Sequence, residues 1–300
     1  MYIVEFEGSR GKTKVPTKAW IWEMTDRSIL ITGCSSGIGY DAAHTLVKRG
    51  WRVFATCRKE TDCERLTAEG LESFRLDYQD EGSIGSAVST VLDRTDGKLD
   101  ALFNNGAYAI PGAVEDLSRE AFRDIFETNL FGQIELTNLL LPSMRNHGHG
   151  RIIHNSSVLG FVSMPFRGAY CATKFALEAL TNAQRQEYIG TDIKFILIEP
   201  GPIKTAFRDK SALQFEKWID YPNAYRRDFY ESEVKKRLYD RSQKPDRFEL
   251  PPSAVTKKLI HALESQRPKA RYMVTVPTYG ANILNRLLPT RLLDAVLSAD

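Results

Sequence analysis

Long hydrophobic runs are absent from this chain, both internally and at its N-terminus. A helix that spans a membrane needs about 18 or more consecutive apolar residues, and a secretory signal needs an apolar core near the start of the chain. Neither pattern occurs. We therefore expect no transmembrane segment and no export, and we predict a cytoplasmic protein.

Cysteine is scarce, and none of the spacings is typical of zinc ligands. The four cysteines are Cys34, Cys57, Cys63 and Cys171. Without an export signal we expect free thiols rather than disulfides. His147 and His149 flank Gly148 and look like paired metal ligands, but we interpret them as solvated turn residues and predict no metal site.

Neither sign of charge dominates, since 41 basic and 38 acidic residues give a formal net charge of +3. This balance argues against nucleic acid as a partner. The composition, with 42% hydrophobic and 26% charged residues, is ordinary for a globular protein. A chain of 300 residues is long enough for one large α/β domain.

Short apolar runs alternate with helical patterns from residue 28 onwards. The predicted strands are 28–31, 52–57, 73–76, 101–103, 151–154, 194–198 and 272–274. Apolar strands separated by amphipathic helices are typical of parallel βαβ units. We therefore predict an α/β fold, a doubly wound, Rossmann-like parallel sheet with helices on both faces.

A single domain over residues 26–300 is the expected organisation. Residues 1–25 are predicted to be a flexible extension, with Met24 as an alternative first residue. The charged and aromatic stretch 203–250 is predicted to be a helical lid insertion. Residues 279–300 carry a leucine stripe and are predicted to form an amphipathic helix that packs on the domain or on a second subunit, with weak contact to a membrane surface as the alternative.

The turn after the first predicted strand is rich in glycine and reads Thr32-Gly33-Cys34-Ser35-Ser36-Gly37-Ile38-Gly39. Glycine permits unusual backbone angles and a close approach of the main chain to a phosphate. The following helix offers free N–H groups to that phosphate. We predict a dinucleotide pyrophosphate site here, with a tight turn without ligand as the alternative. The candidate contacts are Gly33, Ser35, Ser36, Gly37, Ile38 and Gly39.

Arg58 follows the second predicted strand. An acidic residue at this place binds the ribose hydroxyls of NAD, whereas arginine suits the 2′-phosphate of NADP. The first acidic residue after the strand is Glu60. Arg58, together with Lys59 and Ser35, therefore predicts NADP(H) rather than NAD(H). A solvated surface charge is the alternative interpretation of Arg58.

Tyr170 and Lys174 lie four residues apart in a predicted helix, so they share one face and can touch. A neighbouring ammonium favours the ionised form of a phenol and lowers its pKa. The expected result is a tyrosine that exchanges a proton near neutral pH. The spacing alone is common, and its weight comes from the other motifs.

Taken together, these motifs resemble the short-chain dehydrogenase/reductase superfamily over about residues 28–274. The shared motifs are Thr32-Gly33-x3-Gly37-x-Gly39, Leu76-Asp77, Asn104-Asn105, Asn129, Ser157, Tyr170-x3-Lys174 and Pro200-Gly201. The stretches 170–178 and 198–202 are similar to the 17β-hydroxysteroid and retinol dehydrogenase branch. They are at least as similar to bacterial NADP-dependent aldehyde reductases.

The resemblance implies four catalytic residues. Tyr170 is expected to be the general acid in reduction and the base in oxidation, and Lys174 to lower its pKa and bind the nicotinamide ribose. Ser157, rather than the adjacent Ser156, is expected to hold the substrate oxygen, because it precedes Tyr170 by thirteen residues. Asn129 is expected to support a water that links Lys174 to bulk solvent.

The resemblance also implies further cofactor contacts. Asp77 is expected at the adenine and Asn104 on the adenosine side. Pro200, Gly201 and Thr205 are expected at the nicotinamide end. One departure is that the usual Asn-Asn-Ala-Gly reads Asn104-Asn105-Gly106-Ala107 here, which moves the flexible position by one residue.

An apolar carbonyl or alcohol is the expected substrate, because apolar side chains, all but one of them aromatic, are dense near the predicted site, with core packing as their alternative role. They are Phe161, Met164, Phe166, Phe207, Phe215 and Trp218. A cofactor-binding regulator that does not turn over is the alternative function, and an isomerase or dehydratase of extended relatives is a third. By resemblance, the protein is expected to be a homodimer or homotetramer, joined through the long helices around Tyr170.

Overall fold

A computed structural model of the protein describes residues 27–239 and 248–298. The predicted N-terminal extension with Met24 lies outside these residues. So do part of the predicted insertion and the last two positions. Within the described ranges, no helix is long and apolar enough to cross a membrane.

Seven parallel strands form one sheet, in the order β3-β2-β1-β4-β5-β6-β7. This confirms the predicted doubly wound α/β fold. The strands are β1 Ser28–Ile31, β2 Arg52–Cys57, β3 Glu72–Arg75, β4 Ala101–Asn104, β5 Gly150–Asn155, β6 Ile193–Glu199 and β7 Arg271–Met273. Each predicted strand is present, with its ends within one residue of the prediction.

Helices connect the strands and cover both faces of the sheet. The first six are α1 Gly37–Lys48, α2 Glu60–Ala68, α3 Glu81–Arg94, α4 Arg119–Phe126, α5 Gly132–His147 and α6 Gly168–Glu187. The others are α7 Phe207–Trp218, α8 Arg227–Phe229, α9 Lys235–Tyr239, α10 Ser253–Glu264, α11 Val276–Leu287 and α12 Thr290–Leu297. A π-helical turn, Glu127–Phe131, joins α4 to α5.

The alternation of side chains along β1 explains why two helical layers are needed. Ile29 and Ile31 pack into one core cluster with α1 and α10. Leu30 points to the opposite face and packs with α3 and α5. Successive strand side chains face opposite ways, so a strand that is apolar throughout must be covered on both sides.

The strand order reverses beside β1, which has β2 on one side and β4 on the other. Connections that leave two neighbouring strands in opposite directions open a crevice at the carboxyl ends of those strands. The glycine-rich turn after β1 and the Asn104-Asn105 segment at the end of β4 both lie at this edge. The topology therefore brings residues from distant parts of the chain to one place.

The C-terminal region departs from the single helix predicted for residues 279–300. Two helices are present, and the first begins at Val276. Pro289 separates them, because proline lacks the N–H that would continue the helical hydrogen bonds. Several apolar side chains of both helices are exposed, among them Ile283, Leu287 and Leu292.

Substitution of Gly132, the first residue of α5, tests how closely this helix packs against the loop after β3. A Cβ atom added at Gly132 would lie 2.3 Å from the main-chain oxygen of Tyr78. We expect Gly132→Ala to lower the free energy of unfolding by about 2 kcal/mol, since backbone must shift to relieve the overlap. Urea denaturation measures this change.

Gly85→Ala is the matched control. Gly85 lies within α3, and a Cβ there meets nothing within 4 Å. Because alanine favours a helix over glycine, this variant should be more stable than the natural protein by up to about 1 kcal/mol. Equal stability losses in the two variants would contradict the packing described here.

Candidate functional site

The glycine-rich turn takes backbone conformations that other residues rarely adopt. Gly33 and Gly37 have φ angles of +69° and +63°. At Gly39 a Cβ would lie 2.5 Å from the main-chain oxygen of Gly33. The glycines therefore allow a tight strand-to-helix turn whose main chain can approach a ligand closely.

Helix α1 begins directly after this turn. The side chain of its N-cap residue, Ser36, makes no capping hydrogen bond. The first N–H groups of a helix have no partner within the helix and attract anions. The turn and the helix start therefore offer glycine backbone and unpaired N–H groups that could hold a pyrophosphate, with Ser35, Gly37 and Ile38 at the same turn.

The end of β4 supports the turn from the other side of the crevice. Asn105 donates from its side chain to the main-chain oxygen of Thr32 at 2.9 Å, and the Thr32 hydroxyl accepts from the Asn105 and Gly106 main-chain N–H groups. Gly106 lies against Gly33, whose added Cβ would meet the Gly106 Cα at 2.8 Å. This close approach requires glycine at position 33, whereas a Cβ added at Gly106 would meet the Tyr78 ring at 3.1 Å.

Asn104 is fully buried, and its side chain faces the protein interior. It accepts from the Tyr78 hydroxyl at 2.8 Å and donates to Thr137 at 3.0 Å. Tyr78 also shares a hydrogen bond with Thr32. In this geometry the Asn104 side chain ties strands and loops together, while its neighbour Asn105 contacts the turn. The sequence contained no signal that separated these two asparagines.

Asp77 follows β3 and is partly buried. Its Oδ1 atom accepts from the Gln79 main-chain N–H at 3.2 Å, and its own N–H donates to the Ser83 hydroxyl at 3.0 Å. Because β3 is parallel to β1, Asp77 lies at the same edge of the sheet as the glycine-rich turn.

A second cation lies beside Arg58, and sequence reasoning missed it. Lys210, on α7, donates to the Ser36 hydroxyl at 3.3 Å. Although the Lys210 side chain is exposed, partial desolvation lowers its pKa; the charge of Asp62 opposes this shift and that of Arg58 adds to it. The contact joins residues 174 positions apart, so no local pattern could have revealed it.

Tyr170 and Lys174 both lie on α6, as predicted, and are 8% and 1% exposed. The Lys174 Nζ atom is 5.7 Å from the centre of the Tyr170 ring and donates to the Asn155 main-chain oxygen at 2.7 Å. The Ser157 side chain faces the Tyr170 hydroxyl and lowers the Tyr170 pKa. Ser156 instead faces Glu178, which agrees with the choice of Ser157 over its neighbour.

The prediction that the pKa of Tyr170 is lowered is wrong for the protein alone. Burial raises the pKa of Tyr170 to about 12, and the Ser157 side chain only partly offsets this rise. Burial also lowers the pKa of Lys174 to about 8, against the attraction of Glu178. The desolvation of both groups, which a sequence does not display, outweighs the effect of Lys174 on its neighbour.

Asn129 lies in the π-helical turn and is fully buried. Its Oδ1 atom accepts from the Tyr108 N–H at 3.1 Å, and its Nδ2 atom donates to the Tyr108 oxygen at 2.8 Å and to Thr173 at 3.2 Å. Turns of this kind are frequent at functional sites. The side chain thus connects the segment after β4 to the residue that precedes Lys174.

The segment after β6 closes the opposite side of the crevice. The Pro200 oxygen accepts from the Val158 N–H at 2.8 Å, beside Ser157. A Cβ on Gly201 would lie 2.1 Å from the Thr275 hydroxyl, and the Thr205 methyl group packs where a Cβ on Gly37 would point, 3.0 Å away. The start of the insertion therefore touches the glycine-rich turn directly.

All six predicted pocket residues belong to one hydrophobic cluster with Tyr170. Phe207 packs edge-on against the Tyr170 ring, with centroids 5.7 Å apart. Phe166 has a φ of +59°, a strained conformation for a bulky residue, and stacks on Phe229 of α8 at 4.4 Å. The loop that follows Ser157 and the insertion thus pack together beside the tyrosine.

Among the described residues, no group of three or more histidine, cysteine or acidic side chains could hold a metal ion. His149 lies 2.8 Å from Asp192, and His147 lies 3.7 Å from Asp100. The two histidines thus face different carboxylates. All four cysteines are buried and free.

The doubly wound sheet and its crevice define a Rossmann-like class of protein. A family model described as short chain dehydrogenase matches residues 27–215, and the chain belongs to the short-chain dehydrogenase/reductase family. It is therefore an oxidoreductase of CH–OH groups, and solved members of the family contain NAD or NADPH.

Three similar proteins illustrate this membership. An uncharacterized oxidoreductase of Escherichia coli, YbbO, is 39% identical, and the match covers 95% of this chain and 99% of that protein. Human retinol dehydrogenase 16 is 34% identical over 91% of this chain and 88% of its own. A short-chain dehydrogenase/reductase from Burkholderia phymatum, solved with NAD, is 22% identical with a TM-score of 0.73, covering 89% and 94% of the two chains.

Gly39→Ala tests whether the turn is built for close approach. The added Cβ would overlap the Gly33 main-chain oxygen at 2.5 Å, so the turn must open. We expect dinucleotide affinity to fall at least tenfold, as measured by quenching of tryptophan fluorescence. Gly82→Ala at the start of α3, where a Cβ meets only a side-chain atom at 3.3 Å, is the control. Unchanged affinity in Gly39→Ala would contradict the proposed pyrophosphate site.

Proposed function

We propose that this protein is an NADP(H)-dependent oxidoreductase that interconverts an apolar aldehyde or ketone and its alcohol. The observation that carries the proposal is the placement of the buried Tyr170 one helical turn from the buried Lys174, with the Ser157 side chain facing the phenol. These three groups supply an oxygen-binding hydroxyl, an acid and a fixed charge.

In reduction, Tyr170 donates its proton to the substrate oxygen as that oxygen gains negative charge. Ser157 donates a hydrogen bond to the same oxygen and stabilises it. In oxidation Tyr170 accepts the proton of the alcohol instead. The bound nicotinamide cofactor supplies or accepts the hydride. Burial of Tyr170 keeps its phenol protonated in the free protein, which is the form that reduction requires.

Lys174 contributes a buried positive charge, which stabilises the Tyr170 phenolate that remains after the proton has left. Its Nζ atom is also the group that would bind the nicotinamide ribose. Asn129 acts as a positioning residue, because its side-chain donors are held by Tyr108 and Thr173. Through Thr173 it fixes the turn of α6 that carries the lysine.

The remaining cofactor contacts follow the shape of the crevice. The turn from Gly33 to Gly39 would bind the pyrophosphate, Asp77 the adenine, and Pro200, Gly201 and Thr205 the nicotinamide end. Asn104, which is buried, would support the adenosine side through its main chain and through Asn105.

A preference for NADP(H) is supported by two cations. Arg58 follows β2, where an acidic residue would favour NAD, and Lys210 reaches the same corner from α7. Guanidinium and ammonium groups suit a phosphate dianion. Similar proteins of known structure contain NAD in one case and NADPH in another. The preference for NADP(H) is therefore argued from the local charges of this chain.

An apolar substrate is supported by the cluster that surrounds Tyr170. Phe207, Phe215 and Trp218 come from the insertion, which we propose acts as a lid over the cleft. Human retinol dehydrogenase 16 and 17-beta-hydroxysteroid dehydrogenase type 1, both similar to this chain, are named for apolar alcohols. Sites lined mainly by aromatic side chains favour such ligands.

Self-association is supported by exposed apolar side chains on the outer faces of α5 and α6. Leu139, Phe175 and Leu180 are each more than 40% exposed. We propose that these two helices form the interface of a homodimer or homotetramer. The exposed apolar side chains of α11 and α12 would provide any weak contact with a membrane surface.

Tyr170→Phe should abolish turnover and leave cofactor affinity within about twofold, because the phenol supplies the proton but little of the binding surface. NADPH oxidation with a panel of apolar aldehydes and ketones measures the first effect, and fluorescence titration the second. Retained turnover in the variant would contradict the mechanism. Tight NADPH binding without turnover of any carbonyl by the natural protein would favour the regulator.

Arg58→Asp and Lys210→Gln should each reduce the preference for NADPH over NADH by about tenfold or more, since each removes one charge-assisted bond to a phosphate. Dissociation constants for both cofactors measure this. Lys204→Gln, an exposed residue of the same segment as Lys210, should leave the ratio unchanged. Equal affinity of the natural protein for NADH and NADPH would overturn the assignment of NADP.

A further inference from the structure

A buried charged cluster lies directly behind Lys174, outside the cleft. Tyr170, Lys174 and Glu178 occur at intervals of four on α6, so they share one face of the helix. Glu178 is 5% exposed. Of the charged groups around Lys174, Glu178 is the one whose attraction raises the lysine pKa.

Arg271, on β7, connects Glu178 to a second acid. Its Nη1 atom donates to Glu178 Oε2 and to Glu199 Oε1 on β6, and its Nη2 atom donates to Asn182 at 3.1 Å. Glu199 is 1% exposed. One guanidinium therefore donates hydrogen bonds to two buried carboxyl groups.

The two carboxyl groups are not fully satisfied by this arginine. Glu178 Oε1 and Glu199 Oε2 are both buried without a hydrogen-bond partner. Buried carboxylates with unpaired oxygens favour taking up a proton. Burial, and then the charge of Glu178, raises the pKa of Glu199 to about 7. Burial also raises the pKa of Glu178, while Ser156, Arg271 and Lys174 oppose that shift.

The other polar groups that face Lys174 do not replace this counter-charge. The Asn155 main-chain oxygen accepts from the ammonium but is neutral. His154 on β5 also lies near Lys174; burial, and then the charge of Lys174, lowers the pKa of His154 to about 3, so this imidazole is neutral as well. Glu178 thus supplies the negative charge that faces Lys174. Arg271 and the protonation state of Glu199 determine the net charge of the cluster around it.

We propose that Glu178 and Glu199, bridged by Arg271, form an acid pair that sets the charge of Lys174 and thereby the acid strength of Tyr170. The inference rests on the proposed function, in which Tyr170 exchanges the proton. Glu178 is a positioning residue in this scheme, since it acts through Lys174. When Glu199 loses its proton, its carboxylate adds a second negative charge that stabilises the Lys174 ammonium. When the pair takes that proton up, the stabilisation weakens.

The test measures the ionisation of Lys174 directly, by carbon-13 NMR of lysine labelled at Cε, with Lys174→Arg to assign the signal. In the natural protein the signal should titrate near pH 8, with a smaller inflection near pH 7 from the acid pair. Glu178→Gln should lower the Lys174 midpoint by about one unit or more. The high-pH limb of the kcat/KM profile should move by the same amount.

Two variants separate this role from a loss of packing. Glu178→Asp keeps the charge and should restore the Lys174 midpoint toward its natural value. Glu187→Gln removes an acid from the exposed end of the same helix, about 20 Å from Lys174, and should change neither the signal nor the profile.

An unchanged Lys174 midpoint in Glu178→Gln would overturn the proposal. If that variant does not fold, the natural protein decides, and a Lys174 signal without any inflection near pH 7 would overturn the proposal, because the acid pair would then not act on the ammonium. The NMR readout needs no turnover. It therefore distinguishes failure of this inference from failure of the proposed catalytic role of Tyr170.

Discussion

Burial of the Lys174 ammonium is the constraint on which the rest of the site depends. A lysine that is 1% exposed is costly unless its charge is compensated. The Asn155 oxygen and the carboxylate of Glu178 provide that compensation, from β5 and from the next turn of α6. Desolvation also raises the pKa of Tyr170. Both groups of the pair therefore have strongly shifted pKa values in the free protein.

The sheet makes this arrangement possible because parallel strands end at one edge. β1 contributes the glycine-rich turn, β4 the asparagine segment, β5 the loop with Ser157, and β6 the Pro200-Gly201 segment. Tertiary packing then adds contacts of two kinds. Asn129 and Thr173 link the crevice to α6, and Lys210 links the insertion to the turn. Helices and strands position the catalytic groups, and the insertion carries the apolar surface that would select a substrate.

Much of this could be predicted from the sequence. Short apolar runs between helical patterns located all seven strands, and the glycine spacing located the turn, because these features reflect local backbone requirements. Other features depend on packing between distant segments. The inward orientation of Asn104, the approach of Lys210 to Ser36 and the sign of the Tyr170 pKa shift follow from burial and long-range contact. The break at Pro289 was readable from its residue type and was missed because the leucine stripe continues across it.

The central claim is that Tyr170 is a buried acid beside the proposed cofactor site, where the positive charge of an oxidised nicotinamide would add to that of Lys174 in favouring its ionisation. Its phenolate absorbance can be isolated as the difference between the natural protein and Tyr170→Phe, titrated with and without NADP⁺. The account predicts ionisation near pH 12 in the free protein, and at least one unit lower in the complex, since a nearby positive charge favours the phenolate. A midpoint that is the same in both states, or one already near neutrality in the free protein, would contradict it.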